Sequence, residues 1–229
     1  MIRGKSALAI WSDVAPEIEV DYRHWLTREH VLERVGIDGF LAGRVFQLAR
    51  EEPRRYFITY ELEDSSAVAG PSYLARLNAP TPWSQRMMPQ LRNFARGGGN
   101  VVARAGLGSG GYCAPLRCGL GRCADAGTAQ KLVERVAAFD AISAVWFLAV
   151  DRQATTVPTR ERNMRKSSEG DFEAVLCIEG LAAEPVRAAA RSALGQELAG
   201  EAVDPVTDIP VFAATFALDR RTAGLLPAA

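Results

Sequence analysis

Neither sign of charge is in surplus, with 27 Lys+Arg against 27 Asp+Glu. A nucleic-acid binder normally carries a basic excess, because phosphate neutralisation dominates its affinity, so no nucleic-acid partner is expected. Long apolar runs are missing too. The nearest, residues 137–150, is broken by Asp140 and Ser143 and falls short of the roughly 20 apolar residues that span a bilayer. Residues 1–10 begin with a basic group, but their apolar core is too short for a secretory signal. A cytoplasmic chain with no membrane partner is the expectation. Histidine is scarce: only His24 and His30 occur, and residues 31–229 contain none.

Cysteine is nearly as sparse. Cys113, Cys118 and Cys123 form C-x4-C-x4-C and Cys177 stands apart, a spacing that matches neither zinc nor iron–sulfur sites. On a strand, residues five apart point to opposite faces. Buried free thiols are therefore expected, and no metal. What is present is ordinary globular material: 48% apolar and 24% charged residues over 229 positions, enough for one large domain or two small ones.

Hydrophobic period gives a strand over residues 7–14, a helix from Pro16 to about residue 35, and strands over 40–50 and 56–63, joined by a turn at Glu51, Glu52 and Pro53. Helical material follows over 72–78 and 83–96, then a strand over 101–105. The same order then returns: strand 112–119, helix 128–140, strands 142–151 and 172–178, helix 185–198 and strand 211–218. The helix-to-strand junction Ile37-Asp38-Gly39-Phe40 has an echo in Phe139-Asp140-Ala141-Ile142. Each half reads as a β-α-β-β-α-β, ferredoxin-like unit, residues 1–108 and 109–229. One antiparallel sheet with helices on a single face needs a cover for the other. Two such sheets facing each other make an α+β barrel within one chain, with Gly97–Gly99 and the run 106–111 as the crossover. Gly106, Gly108 and Gly111 also fit G-x-G-x-x-G, but no helix opens at the last glycine, as pyrophosphate binding requires.

Chemistry concentrates on the first helix. At 100° per residue, Ile18, Tyr22, Trp25, Glu29, Leu32 and Gly36 share a stripe, which sets the Glu29 carboxylate on an apolar face. His30 follows it as a general acid or base for neutral pH. His24 lies six positions earlier, too far around the helix to share a metal with it. On the following strand, alternation groups Arg44 with Phe40, Ala42, Phe46 and Leu48. Arg44 could pair with Glu29 or hold an oxyanion of a ligand. The plainer alternative is a structural ion pair beside a histidine at the helix edge. Trp83, Met87 and Met88 could line a pocket mouth or simply pack. Residues 153–170, with Arg160, Arg162, Arg165 and Lys166, read as a solvated loop, or alternatively as a lid that attracts an anion.

The segments Trp11-Ser12-Asp13-Val14, Trp25-Leu26-Thr27-Arg28-Glu29-His30-Val31 and Ile37-Asp38-Gly39-Phe40, with Tyr73–Asn78 and Pro80–Ser84, resemble the dimeric α+β barrel superfamily. The likeness spans roughly residues 7–105 and is nearest to EthD-like proteins of unassigned activity. Their W-x-x-x-E-H helix implies catalytic roles for His30 and Glu29. Tyr22, Trp25, Arg44 and Trp83 would then bind a small apolar or aromatic ligand. The superfamily holds cofactor-free monooxygenases, isomerases and haem enzymes. A second-module histidine for haem is absent here, so no cofactor is expected. The resemblance implies a metal- and haem-free isomerase, cyclase or monooxygenase acting on an aromatic or polyketide-like carbonyl compound. Alternatives are a non-catalytic small-molecule-binding or stress-type accessory protein and a purely structural module. Association into a homodimer stays open.

Overall fold

A computed structural model describes residues 3–49, 54–166, 170–203 and 208–224; the expected turn at Glu51, Glu52 and Pro53 lies outside them. Eight strands are present: β1 (Ser6–Asp13), β2 (Phe40–Leu48), β3 (Arg55–Leu62), β4 (Arg92–Gly106), β5 (Tyr112–Cys118), β6 (Ile142–Val150), β7 (Ala174–Gly180) and β8 (Phe212–Asp219). They close into one barrel in the order β1-β3-β2-β8-β5-β7-β6-β4, and every pairing is antiparallel. Within it the first four strands lie as β4-β1-β3-β2 and the last four as β8-β5-β7-β6. Two seams, β2–β8 and β4–β6, join the sets.

Helices cover the outside. Pro16 opens a 3-10 turn (Pro16–Ile18) that continues through α1 (Glu19–Trp25), a π-helical turn (Leu26–His30) and α2 (Val31–Val35). Proline suits this opening because its missing N–H would have had no helical partner. Then follow α3 (Pro71–Asn78), α4 (Pro82–Met87), α5 (Ala126–Ala137), α6 (Arg152–Thr155), α7 (Arg160–Met164), α8 (Ala183–Gln196) and α9 (Arg220–Ala223). Strand alternation then divides the core into three. Ala7, Ala9, Trp11, Phe46, Phe57, Trp146, Cys177 and Phe212 fill the barrel. Leu8, Tyr22, Trp25, Ile58 and Tyr60 pack between the first sheet and its helices, and Leu132, Val136, Leu176 and Ala190 do so in the second half.

Three expectations change. Residues 83–96 are not one helix: Pro89, with its fixed φ and no N–H to donate, sits in a short 3-10 turn, and β4 begins at Arg92. Gly97–Gly99 are consequently strand, not crossover. At Gly99 a Cβ would fall 2.0 Å from the Ala149 carbonyl oxygen, so glycine is required where β4 leaves β1 and takes up β6. The span 153–170 carries α6 and α7 instead of open loop, with 167–169 outside the described residues. The run 106–111 does connect the halves, Gly106 turning with φ +83 before β5.

The echoed junction repeats in backbone conformation. Gly39 and Ala141 both adopt positive φ, +85 and +59. Each is followed by a register shift, at Phe40/Ala42 in one half and Ile142/Ala144 in the other. A left-handed conformation costs a Cβ-bearing residue roughly 1–2 kcal/mol. Ala141→Gly should therefore stabilise the chain by about 1 kcal/mol, less some unfolded-state entropy, and urea denaturation would show it as a raised midpoint.

Candidate functional site

The π-helical turn decides which side chain faces inward. Its defining bond runs from the Val31 N–H to the Leu26 carbonyl, five residues back. Residues five apart are stacked by such a turn, whereas an α-helix stacks those three or four apart. His30, not Glu29, therefore lies over Trp25, ring centroids 4.1 Å apart and planes at 32°. His30 is buried. Glu29 is turned aside, accepting a 2.6 Å hydrogen bond from Thr81 Oγ1. The uniform 100° stripe fails at this one turn.

Trp25 is held by its neighbours. Its Nε1 donates to Ser84 Oγ at 3.2 Å, and Tyr22 packs against it at 5.6 Å. Tyr22 shares a 2.7 Å hydrogen bond with Ser12 Oγ of β1. These residues, with Tyr60 of β3, Arg34 of α2 and Glu161 of α7, enclose a cavity of about 40 Å³ between the first sheet and its helices. That is room for about three water molecules. Apolar walls come from Leu26, Ile58, Leu77, Met88, Leu91 and Phe94.

Three polar atoms of the lining are buried without a hydrogen-bond partner: His30 Nδ1, Arg34 Nη1 and Tyr60 Oη. Leaving such a group unsatisfied ordinarily costs about 1–3 kcal/mol, so three of them around one space mark it as built for something polar. The other guanidinium nitrogen, Arg34 Nη2, donates to Glu161 Oε1 at 2.5 Å, and both side chains are buried. Nη1 has only the Glu33 carboxylate in its vicinity, at 3.9 Å. Across the cavity Arg96 donates to Tyr73 Oη at 3.0 Å and to the Thr155 carbonyl at 2.9 Å.

Burial lowers the His30 pKa well below its ordinary value, and the positive Arg34 adds to the effect. The imidazole is thus neutral at pH 7, with a lone pair available. Burial likewise raises the Tyr60 hydroxyl, which keeps it a donor. The histidine shift carries over to stability. Below pH 6.5 the unfolded chain binds a proton that the folded chain still refuses, so stability present above that pH is lost progressively as acid is added. One such proton corresponds to a slope of at most about 1.4 kcal/mol per pH unit. Chemical denaturation between pH 7 and 5 should show that slope in the wild type and a shallower one in His30→Gln.

Of the site residues expected from sequence, Tyr22, Trp25 and His30 line this cavity. Glu29, Arg44 and Trp83 are placed elsewhere. The register shift at Phe40/Ala42 sends Phe40 to the helix side and Arg44 to one mouth of the barrel. There Arg44 Nη1 donates to Glu179 Oε2 at 2.6 Å and Nη2 to the Gly110 carbonyl at 3.1 Å, so its ion-pair partner is Glu179 and not Glu29. This mouth is a separate recess of about 350 Å³. Trp83 Nε1 donates to Asp21 at 3.0 Å, and of the residues grouped with it Met88 reaches the cavity. All four cysteines are buried and free. Cys113 and Cys177 meet inside the barrel with Sγ atoms 3.1 Å apart, while Cys118 and Cys123 pack under the second-half helices. Among the described residues no three His, Cys, Asp or Glu side chains converge as metal ligands, and no helix is long and apolar enough to cross a membrane.

No protein-family model matches the chain, and no curated protein matches it in sequence. Solved structures do. An anthrone oxidase-like protein superposes with a TM-score of 0.63 at 9% identity, over 96% of this chain and 95% of that one. The fold is that of the dimeric α+β barrel proteins. A candidate monooxygenase from Fusobacterium nucleatum gives 0.54 at 11% identity, over 95% of each chain. A chlorite dismutase from Candidatus Nitrospira defluvii in complex with imidazole gives 0.52 at 8%, over 93% and 92%. Haem does not fit the residues of this α+β barrel. The helix-covered side of the second half is filled by aliphatic side chains such as Leu132, Val133, Val136 and Leu194. No histidine occurs there to ligate iron.

Proposed function

We propose that the chain is an enzyme of the cofactor-independent oxygenase type, working on an aromatic ketone with an acidic C–H. The reading rests on one observation: a neutral, buried histidine with an unpartnered nitrogen facing an aromatic-walled cavity that also holds unpartnered donors. His30 takes the C–H proton as general base. The electron pair moves onto the carbonyl oxygen, and the resulting enolate is held by Arg34 and Tyr60, donors aimed where negative charge develops. The enolate then reduces molecular oxygen, the co-reactant. For a diaryl methylene the sum is methylene plus O2 giving carbonyl plus water. Trp25 and Tyr22 form the wall against which the rings lie. The names of the structural neighbours, anthrone oxidase-like and candidate monooxygenase, agree with this chemistry.

The architecture belongs to the same proposal. Residues 1–108 and 109–229 are read as two ferredoxin-like modules of common plan. Their strand orders correspond one to one, and the positive-φ junction is repeated. EthD-like ancestry of the first module rests on its Trp25–His30 helix. Any homodimer would have to form through helices or loops, since both seams of the barrel are closed within one chain.

The test uses dithranol, a dihydroxyanthrone, under air. Oxygen uptake matched by appearance of the quinone, above the uncatalysed rate, is the expected result. Binding without oxygen uptake would overturn catalysis and leave the cavity to a ligand-holding accessory role, the second reading.

A further inference from the structure

The buried ion pair at the cavity is itself the most informative feature. Arg34 lies on the fixed helix, packed by Tyr73 with its guanidinium carbon 6.0 Å from the ring centroid. Its partner Glu161 comes from α7, a five-residue helix in the long excursion between β6 and β7. Little apolar surface holds that segment. Thr159 caps α7 through its own side chain, the Arg160 N–H donates to Asn78 Oδ1 at 3.0 Å, and Arg165 lies over Phe94 at 4.2 Å. Removing two charges from water costs several kcal/mol per ion, which a single 2.5 Å contact with a spare guanidinium nitrogen repays poorly. Meanwhile Arg34 Nη1 and Tyr60 Oη have no hydrogen-bond acceptor, and a space of about 40 Å³ is far below the roughly 300 Å³ of an ordinary ligand site.

We infer that Glu161 is a built-in carboxylate plug: it occupies an oxyanion site formed by Arg34 and Tyr60, and a planar aromatic ligand bearing an ionised hydroxyl or carboxylate displaces it as α7 lifts away. The ligand's two oxygens then meet Arg34 in the bidentate manner a guanidinium favours, with Tyr60 as a third donor. The rings slide into the space against Trp25 and Met88, and Glu161 returns to water. A neutral analogue has nothing to offer Arg34 in exchange and leaves the plug in place. Selectivity for the anion therefore arises from exchange of one carboxylate for another oxyanion, with no change in net buried charge.

The inference uses the cavity of the proposed oxygenase reading but not its proton transfer, so the two can fail separately. The probe is 1-hydroxy-2-naphthoate, compared with its neutral methyl ester by isothermal titration calorimetry. Wild type should prefer the acid by about tenfold or more, equivalent to about 1.4 kcal/mol. Glu161→Gln, which keeps a hydrogen-bonding side chain but removes the competing charge, should tighten the acid by about tenfold and leave the ester unchanged. Tyr60→Phe, a substitution that deletes only an unpartnered hydroxyl, should weaken the acid alone. His30→Gln should bind the acid as wild type does. Equal binding of acid and ester, a Glu161→Gln variant no tighter than wild type, or no binding of the acid to Glu161→Gln at millimolar concentration would each overturn the plug. Tightening in Glu161→Gln together with no dithranol turnover would retain the plug and remove the oxygenase reading.

Discussion

His30→Gln will lower turnover of dithranol by about a hundred- to ten-thousandfold, the range a positioned proton acceptor supplies, with little effect on KM. Glutamine keeps a polar group of similar reach but has no basic nitrogen. Because His30 packs flat on Trp25 at 4.1 Å and its Nδ1 has no hydrogen-bond partner to lose, the substitution removes chemistry more than structure. The pH dependence carries a second signature. Burial and Arg34 hold the histidine pKa down, so the wild-type rate should stay level from pH 8 to below 6.5 and fall only in more acid solution. A fall centred near 6.5 would mean that the base is a solvated histidine, for which the candidate is His24. A His30→Gln rate within a few-fold of wild type would remove the residue from the mechanism.

Cutting the buried ion pair should have the largest effect on stability. Arg34→Met leaves the Glu161 carboxylate enclosed without its partner, a change that costs about 3–5 kcal/mol in such settings. Both side chains are buried, 2% and 3% exposed, so solvent does little to soften the loss. The double variant Arg34→Met/Glu161→Met should recover most of it, since replacing a buried pair by apolar groups of similar volume is often neutral. Urea denaturation of the two single variants and the double variant, analysed as a cycle, separates the pair term from the packing term. If Arg34→Met unfolds no more easily than wild type, then α7 does not bury Glu161 in solution, and the carboxylate is already in water.

Much of the architecture was legible from residue order. Strand alternation and the two proline-opened helices placed most elements to within a few residues, because each strand buries one face in the barrel and the other under helices. What defeated periodicity was local. Pro89 and the glycines after it made residues 83–96 look like a helix and a linker, when β4 needs those glycines where it changes partner. The π-turn exchanged Glu29 for His30 on the buried face, and no propensity in Leu26–His30 announces a bond five residues long. The shift at Phe40/Ala42 moved Arg44 from the helix side to a barrel mouth. Arg34 could have been found, being four residues beyond His30 on the same helix. So could Tyr60, which alternates with Tyr56 and Ile58. Glu161 could not: it reaches the cavity from a basic, loop-like stretch that meets Arg34 only through tertiary packing, 127 residues away in sequence.

Closing the barrel at two covalently tethered seams has a consequence for how such a molecule can change. Two identical subunits sharing a barrel must carry every substitution twice, and dilution pulls them apart. Here the partners are written separately and cannot drift away from each other. One could therefore become an inert aliphatic support under α5 and α8, while the other kept the lone basic ring, the strained charges and the empty space that a purely supportive half would have eliminated.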